Sequence, residues 1–193
     1  LYHGTSTEHL EDILDYGIQP RSALSNSWGN WDAISYGTKE TFVFLTAAYP
    51  MRYAIQAANM SNHLHEKNDH KPVIIKVGNL RKRDLYPEHR FVAEQFGFDV
   101  DQVIEPGDYQ DLWEQSLNAT GVVLVDEIKK RHILGHKIID PQQRSLVGFL
   151  GGDFNSNVYH DGQHARHFKG LLEILFEHGE EAVLAKASEE TAQ

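Results

Sequence analysis

The chain has 193 residues, 40% hydrophobic and 24% charged, which suits one globular domain with a sizeable core. A net charge of −10 opposes non-specific nucleic-acid binding through a broad basic face, and the lack of cysteine excludes disulfides and cysteine–zinc sites. No apolar run approaches the roughly 18 residues of a membrane span, so no membrane partner is expected. A cysteine-free chain fits a reducing compartment, and a cytoplasmic location is the expectation. No signal peptide is visible, although Leu1 is not an initiator Met and the true start can lie upstream.

In chain order, residues 1–5 read as a strand and 8–16 as a helix with Leu10, Ile13 and Leu14 on one face. Thr7 is placed as that helix's N-cap and Gly17 as its closing residue. Residues 19–41 are rich in Ser, Asn, Gly and Trp and carry no period, as a long functional loop would. Phe42–Thr46 is a strand by its aromatic and β-branched content. A helix follows over 49–65, with Pro50 in its first turn and Met51, Ala54, Ile55 and Ala58 on one face. Pro72–Val77 is a strand, 88–97 and 108–117 are helical, and Gly121–Val125 is a buried strand. Ile128–Ile139 continues as extended structure. Beyond Pro141, Gly148–Asn157 reads as a loop, and 162–187 as one helix interrupted at Gly179. Residues 188–193 are polar and read as a frayed end. The organisation is thus a core over 1–140, with a loop and a helical extension over 141–193 packed on it.

Three segments carry chemistry. The first is Leu1-Tyr2-His3-Gly4-Thr5-Ser6, a strand that delivers a histidine and a bare backbone to a pocket. Gly4 lacks a Cβ, so a planar ligand could lie against its N–H and C=O. The second is Phe42 to Ala54, where a strand ends in Leu45-Thr46 and a helix carries Tyr53, with Tyr49 as substitute. An aromatic held at a helix start beside a strand end offers a rigid stacking face. The third is Asn118-Ala119-Thr120-Gly121-Val122, leading into a buried strand.

The order strand, His-Gly-Thr-Ser, helix, Gly17-Ile18-Gln19-Pro20-Arg21 resembles the opening of the ADP-ribosyltransferase superfamily, which includes the poly(ADP-ribose) polymerases and the RNA 2′-phosphotransferases. The resemblance covers about residues 1–139. It implies an α+β fold with a split, mainly antiparallel sheet, flanking helices and, in this chain, an added C-terminal helix. It also implies NAD as the substrate. His3 would bond the nicotinamide-ribose, the Gly4 backbone the nicotinamide amide, and Tyr53 would stack on its ring. Thr5, Phe44 and Arg21 would complete the NAD contacts, Arg21 at the pyrophosphate.

One departure matters. Most members begin the third strand with a glutamate that stabilises the oxocarbenium-like transition state. Here Thr120 or Asn118 occupies that region, with Glu114 upstream and Glu127 past the strand. A hydroxyl lacks the full negative charge, so slow transfer of a single ADP-ribose to a protein or nucleic-acid acceptor is expected, and Thr120 is counted with His3 and Tyr53 as catalytic. Two alternatives stand beside it. One is a silent NAD or ADP-ribose binding module. The other is an enzyme like the RNA 2′-phosphotransferases, which need several phosphate-binding arginines where only Arg21 and Arg52 match. His160, His164 and His167 share helical spacing, but Gly162 opposes an early helix start, and no metal site is expected.

Overall fold

The computed structural model describes residues 1–20, 42–98, 106–152 and 162–191. Strand β1 (Tyr2–Ser6) leads through a 3₁₀ turn (Thr7–His9) into helix α1 (Leu10–Tyr16). Strand β2 (Val43–Thr46), helix α2 (Pro50–Leu64) and strand β3 (Pro72–Val77) follow. The short strand β4 (Tyr86–Pro87) precedes α3 (His89–Phe96), and a 3₁₀ segment (Pro106–Leu112) runs into α4 (Trp113–Thr120). Strands β5 (Val122–Val125) and β6 (Ile133–Ile138) flank a 3₁₀ turn. Helices α5 (Arg144–Phe149), α6 (Gly162–His178) and α7 (Glu180–Thr191) end the described chain.

The class is α+β. All six strands pair antiparallel in one sheet of order β4-β5-β2-β1-β3-β6. Among the described residues every neighbouring pair of strands is hydrogen-bonded, so the expected split is not a complete division. It narrows in the middle, where, among the described residues, β1 and β2 share only the pair Tyr2↔Thr46.

Each face buries its own cluster, as period-2 alternation requires. On one face Tyr2 and Ile74 pack with Met51 and Ala54 of α2, Leu146 of α5, Leu171, Leu172 and Leu175 of α6 and Val183 of α7. On the other, Val43, Leu45, Val73, Ile75, Val77, Val123 and Val125 pack with Leu10 and Ile13 of α1. The continuous apolar runs in β3 and β5 are those of strands covered on both sides.

Several expectations are corrected. Thr7 does not cap α1: it starts the 3₁₀ turn, and its hydroxyl accepts from the Lys71 N–H at 3.0 Å. Gly17 does close α1, at φ 91°, donating to the Ile13 carbonyl. A Cβ there would lie 2.1 Å from the Ile128 carbonyl oxygen. Strand β4 and helix α5 were not expected; the helix over 162–187 is interrupted at Gly179, as expected, dividing it into α6 and α7 at a φ of 89°.

Candidate functional site

The narrow middle of the sheet follows from hydrogen-bond alternation. In an antiparallel pair, successive residues direct their N–H and C=O to opposite neighbours. Val77 N–H bonds the Leu1 carbonyl at 2.8 Å, and Thr7 N–H bonds the Lys71 carbonyl at 2.9 Å. In that register Leu1, His3 and Thr5 turn their backbone groups to β3, whereas Tyr2 and Gly4 turn theirs to β2. On the facing strand, Ala47 N–H bonds the Gly121 carbonyl at 3.0 Å, so Val43 and Leu45 serve β5 while Phe44 and Thr46 face β1.

A closed ladder would next pair Gly4 with Phe44. Instead the His3 ring intervenes: its Nδ1 lies 2.9 Å from the Phe44 carbonyl oxygen. The carbonyl only accepts, so Nδ1 carries a proton and donates. Among the described residues no ladder pair reaches Gly4 on this side. By the same alternation its N–H and C=O point into this opening in the β1–β2 ladder.

Gly4 is required here for a reason beyond ligand approach. A Cβ at this position would lie 2.2 Å from the Pro50 carbonyl oxygen, 2.5 Å from the Ala54 nitrogen and 2.8 Å from the Tyr53 Cβ. The missing side chain thus admits helix α2 against the strand and sets Tyr53 beside Gly4. The start of α2 is fixed by Thr46, whose Oγ1 accepts the N–H groups of Ala48 at 3.3 Å and Tyr49 at 3.1 Å, and by Pro50 in the first turn.

Tyr53 and Tyr49 have different surroundings. Tyr49 is buried, its ring against Gly121 and 5.5 Å from that of Phe168 in an edge-on contact. It is a core residue. Tyr53 is half-buried on α2. His3 pairs with Ile75 and Gly4 with Ile74, which belong to opposite faces. His3 and Tyr53 therefore approach the opening from opposite faces of the sheet, not across a cleft on one face.

The other expected residues separate. Phe44 contributes its carbonyl as the acceptor that orients His3. Thr5 is buried within the β1–β3 ladder. Arg21 lies outside the described residues, as do Trp28, Trp31, Tyr36 and His160. Thr120 is not at a strand start. It is the last residue of α4, and its Oγ1 donates to the Ser116 carbonyl at 2.9 Å and accepts the Val122 N–H at 3.2 Å. Gly121, at φ 73°, ends the helix there and turns the chain into β5.

Sequence reasoning passed over the neighbour of that turn. Ser116 is fully buried; its hydroxyl donates to the Val122 carbonyl at 3.0 Å and accepts the Glu88 N–H at 2.9 Å. Glu88 caps α3, its carboxylate accepting the N–H groups of Arg90 and Phe91, both at 3.1 Å. Burial pushes the Glu88 carboxyl above its ordinary value despite those two bonds. The signal in the sequence was Glu88 directly ahead of the helical run 89–96. At the start of β1, burial and the charges of Glu173 and Glu177 push the Tyr2 phenol up to about 12.

Compared with family models, with curated proteins and with solved structures, the chain matches none.

Proposed function

We propose that the protein binds NAD at the opening between β1 and β2 and transfers a single ADP-ribose from it to a macromolecular acceptor. The observation that carries this reading is the interrupted ladder at Gly4, where His3 takes the Phe44 carbonyl and the Gly4 backbone is left facing the opening beside Tyr53. A primary carboxamide needs one donor and one acceptor a few ångströms apart, which a single residue's N–H and C=O provide. His3, held by its bond to the Phe44 carbonyl, would contact a ribose hydroxyl. Tyr53 supplies an aromatic face for the nicotinamide ring.

The bond broken would be that between nicotinamide and ribose, and nicotinamide leaves as a neutral base. The Thr120 hydroxyl is committed to the end of α4 and draws no support as a ribose contact. Without a carboxylate beside the ribose, the electrostatic help to the oxocarbenium is small and the expected turnover slow.

That same commitment of Thr120 favours a second reading, a module that binds NAD or ADP-ribose without turnover. The test is one titration and one assay. Calorimetry with NAD should give saturable binding that weakens in Tyr53→Ala. Mass spectrometry should then detect released nicotinamide and ADP-ribose attached to an acceptor in cell lysate. Binding without release selects the silent module; no binding removes both readings.

A further inference from the structure

We infer that Glu8, His65 and His70 form a binding site for one Zn²⁺ ion, clasping the turn after β1 to the end of α2 and the entry to β3. One ligand atom from each of the three lies within 4.8 Å of the other two. His65 Nε2 is 2.5 Å from Glu8 Oε1, and the His65 and His70 rings are 5.7 Å apart. Two atoms in the cluster have no hydrogen-bond partner among the described residues although both are shielded from solvent: His70 Nε2 and Glu8 Oε2. Nearby charges stop at longer range, with His9 Nε2 3.6 Å from Glu8 Oε2 and Asp69 Oδ1 3.9 Å from His70 Nε2. A buried imidazole nitrogen with no partner is costly, and a cation coordinated there removes that cost.

The ligands are held in place before any ion binds. Asn62 on α2 grips the His70 backbone twice, accepting its N–H at 2.9 Å and donating to its carbonyl at 3.1 Å. The Lys71 N–H bonds Thr7 Oγ1 at 3.0 Å, and the hydroxyls of Ser6 and Ser61 meet at 2.9 Å. Helix α2 ends at His65, and Glu66 follows at φ 51°, a turn that sends the chain back toward β3.

Two imidazoles and one carboxylate are the donor set of a tetrahedral zinc site with one position left for water, and suit Ca²⁺ or Mg²⁺ poorly. His65, 47% exposed at the helix end, leaves that position open to solvent. Coordination at about 2.0–2.1 Å sets ligand atoms roughly 3.3 Å apart, so Glu8 and His65 would part slightly and His65 Nε2 would give up the hydrogen it shares with Glu8, the ring keeping its proton on Nδ1. The site is separate from the opening at Gly4: Tyr53 and His65 lie on one helix about 18 Å apart along its axis. The expectation of no metal rested on the histidine run near 160–167. These ligands come from three separate elements.

The test uses the untagged full chain, stripped with a chelator and titrated with ZnCl₂ against a chromophoric competitor. One equivalent should bind and raise the thermal midpoint, and CoCl₂ should give visible absorption of tetrahedral intensity. Each of Glu8→Gln, His65→Gln and His70→Gln should weaken binding beyond the roughly 10–100-fold typical of losing an outer-sphere partner. His63→Gln, two residues before His65 and exposed, should leave it unchanged. His65→Gln is at an exposed helix end and keeps the fold, which circular dichroism checks in chelator. Absence of saturable Zn²⁺ binding overturns the inference, as does binding that His65→Gln does not weaken. Neither result bears on NAD.

Discussion

Strand β1 has two unlike edges. Toward β3 it runs a continuous ladder from Tyr2↔Lys76 to Ser6↔Pro72; toward β2, among the described residues, it makes the pair Tyr2↔Thr46 and no other. The side chains around both edges are packed, so the difference is not one of burial. It lies in where the backbone groups go. On the β3 side the peptide groups satisfy one another and contribute rigidity. On the β2 side a side chain, His3, takes the place of a ladder bond and leaves a peptide group facing the opening. One strand thus serves as structure along one edge and as a candidate site along the other.

The comparison breaks most severely at Gly4. Gly4→Ala would set a Cβ 2.2 Å from the Pro50 carbonyl oxygen and 2.5 Å from the Ala54 nitrogen, backbone atoms that cannot rotate aside. Helix α2 would have to move off the strand. The expected cost is about 3 kcal/mol or more, at or above the top of the usual overpacking range. Urea unfolding measures it, and a cost under about 1 kcal/mol would mean that α2 does not press on the strand. Gly97→Ala is the control. Gly97 also has a positive φ, 71°, but nothing lies within 4 Å of an added Cβ, so only the backbone term of about 1 kcal/mol is expected.

Next in size is His3→Ala. It removes the donor to the Phe44 carbonyl, and the expected destabilisation is about 1–3 kcal/mol for a partly buried acceptor left unmet. NAD affinity should fall with it. His3→Gln retains an amide N–H and should recover part of the stability. If His3→Ala changes neither stability nor NAD affinity, the histidine does not hold the opening.

Thr120→Val sharpens the same comparison from the β5 side. The two hydroxyl bonds at the end of α4 disappear, for an expected loss of about 1–2 kcal/mol. Nicotinamide release, corrected for the fraction folded, should stay as it was. A loss of release in a well-folded Thr120→Val would return the residue to the ribose.

These contrasts also mark what the sequence made legible. The runs Val73-Ile74-Ile75 and Val122–Val125 are strands under any packing, because β-branched residues covered on both faces have no other stable use. Helix α2 announces itself through Pro50 and its Met51, Ala54, Ala58 stripe. The two-residue β4 gives no period, and α5 begins just before a run of glycines that reads as loop. Thr120 was misplaced by one element: the residue before a buried strand is also the last residue of a helix whenever a positive-φ glycine joins them. His3, Gly4 and Tyr53 were singled out because two short segments carry them. Glu8, His65 and His70 were not, since 57 residues separate Glu8 from His65 and only the pairing of β1 with β3 brings those ends together.

The smallest expected effect lies at the far edge of the sheet, where β4 closes on β5 through Glu88. The Glu88 carboxyl is 8% exposed, and Ser116 ties its backbone to Val122. Burial raises its pKa most strongly. The N–H bonds from Arg90 and Phe91 and the Arg90 charge oppose this, while the charge of Glu94 adds to it. The folded state therefore holds this proton more tightly than the unfolded chain does. Its stabilising contribution is complete below the unfolded carboxyl's value, about 4.3, and is lost as pH rises through the higher folded value. Gln at this position keeps one acceptor for the helix cap and carries no titrating proton. Arg90, Glu94 and His89 are common to both proteins and cancel in a difference. The unfolding free energy of the wild type minus that of Glu88→Gln should fall as pH rises from the acid limit toward neutrality. Urea denaturation at a series of pH values reads it directly. A difference that rises with pH would mean that the two N–H bonds outweigh burial, and that β4 ends on a stabilised carboxylate.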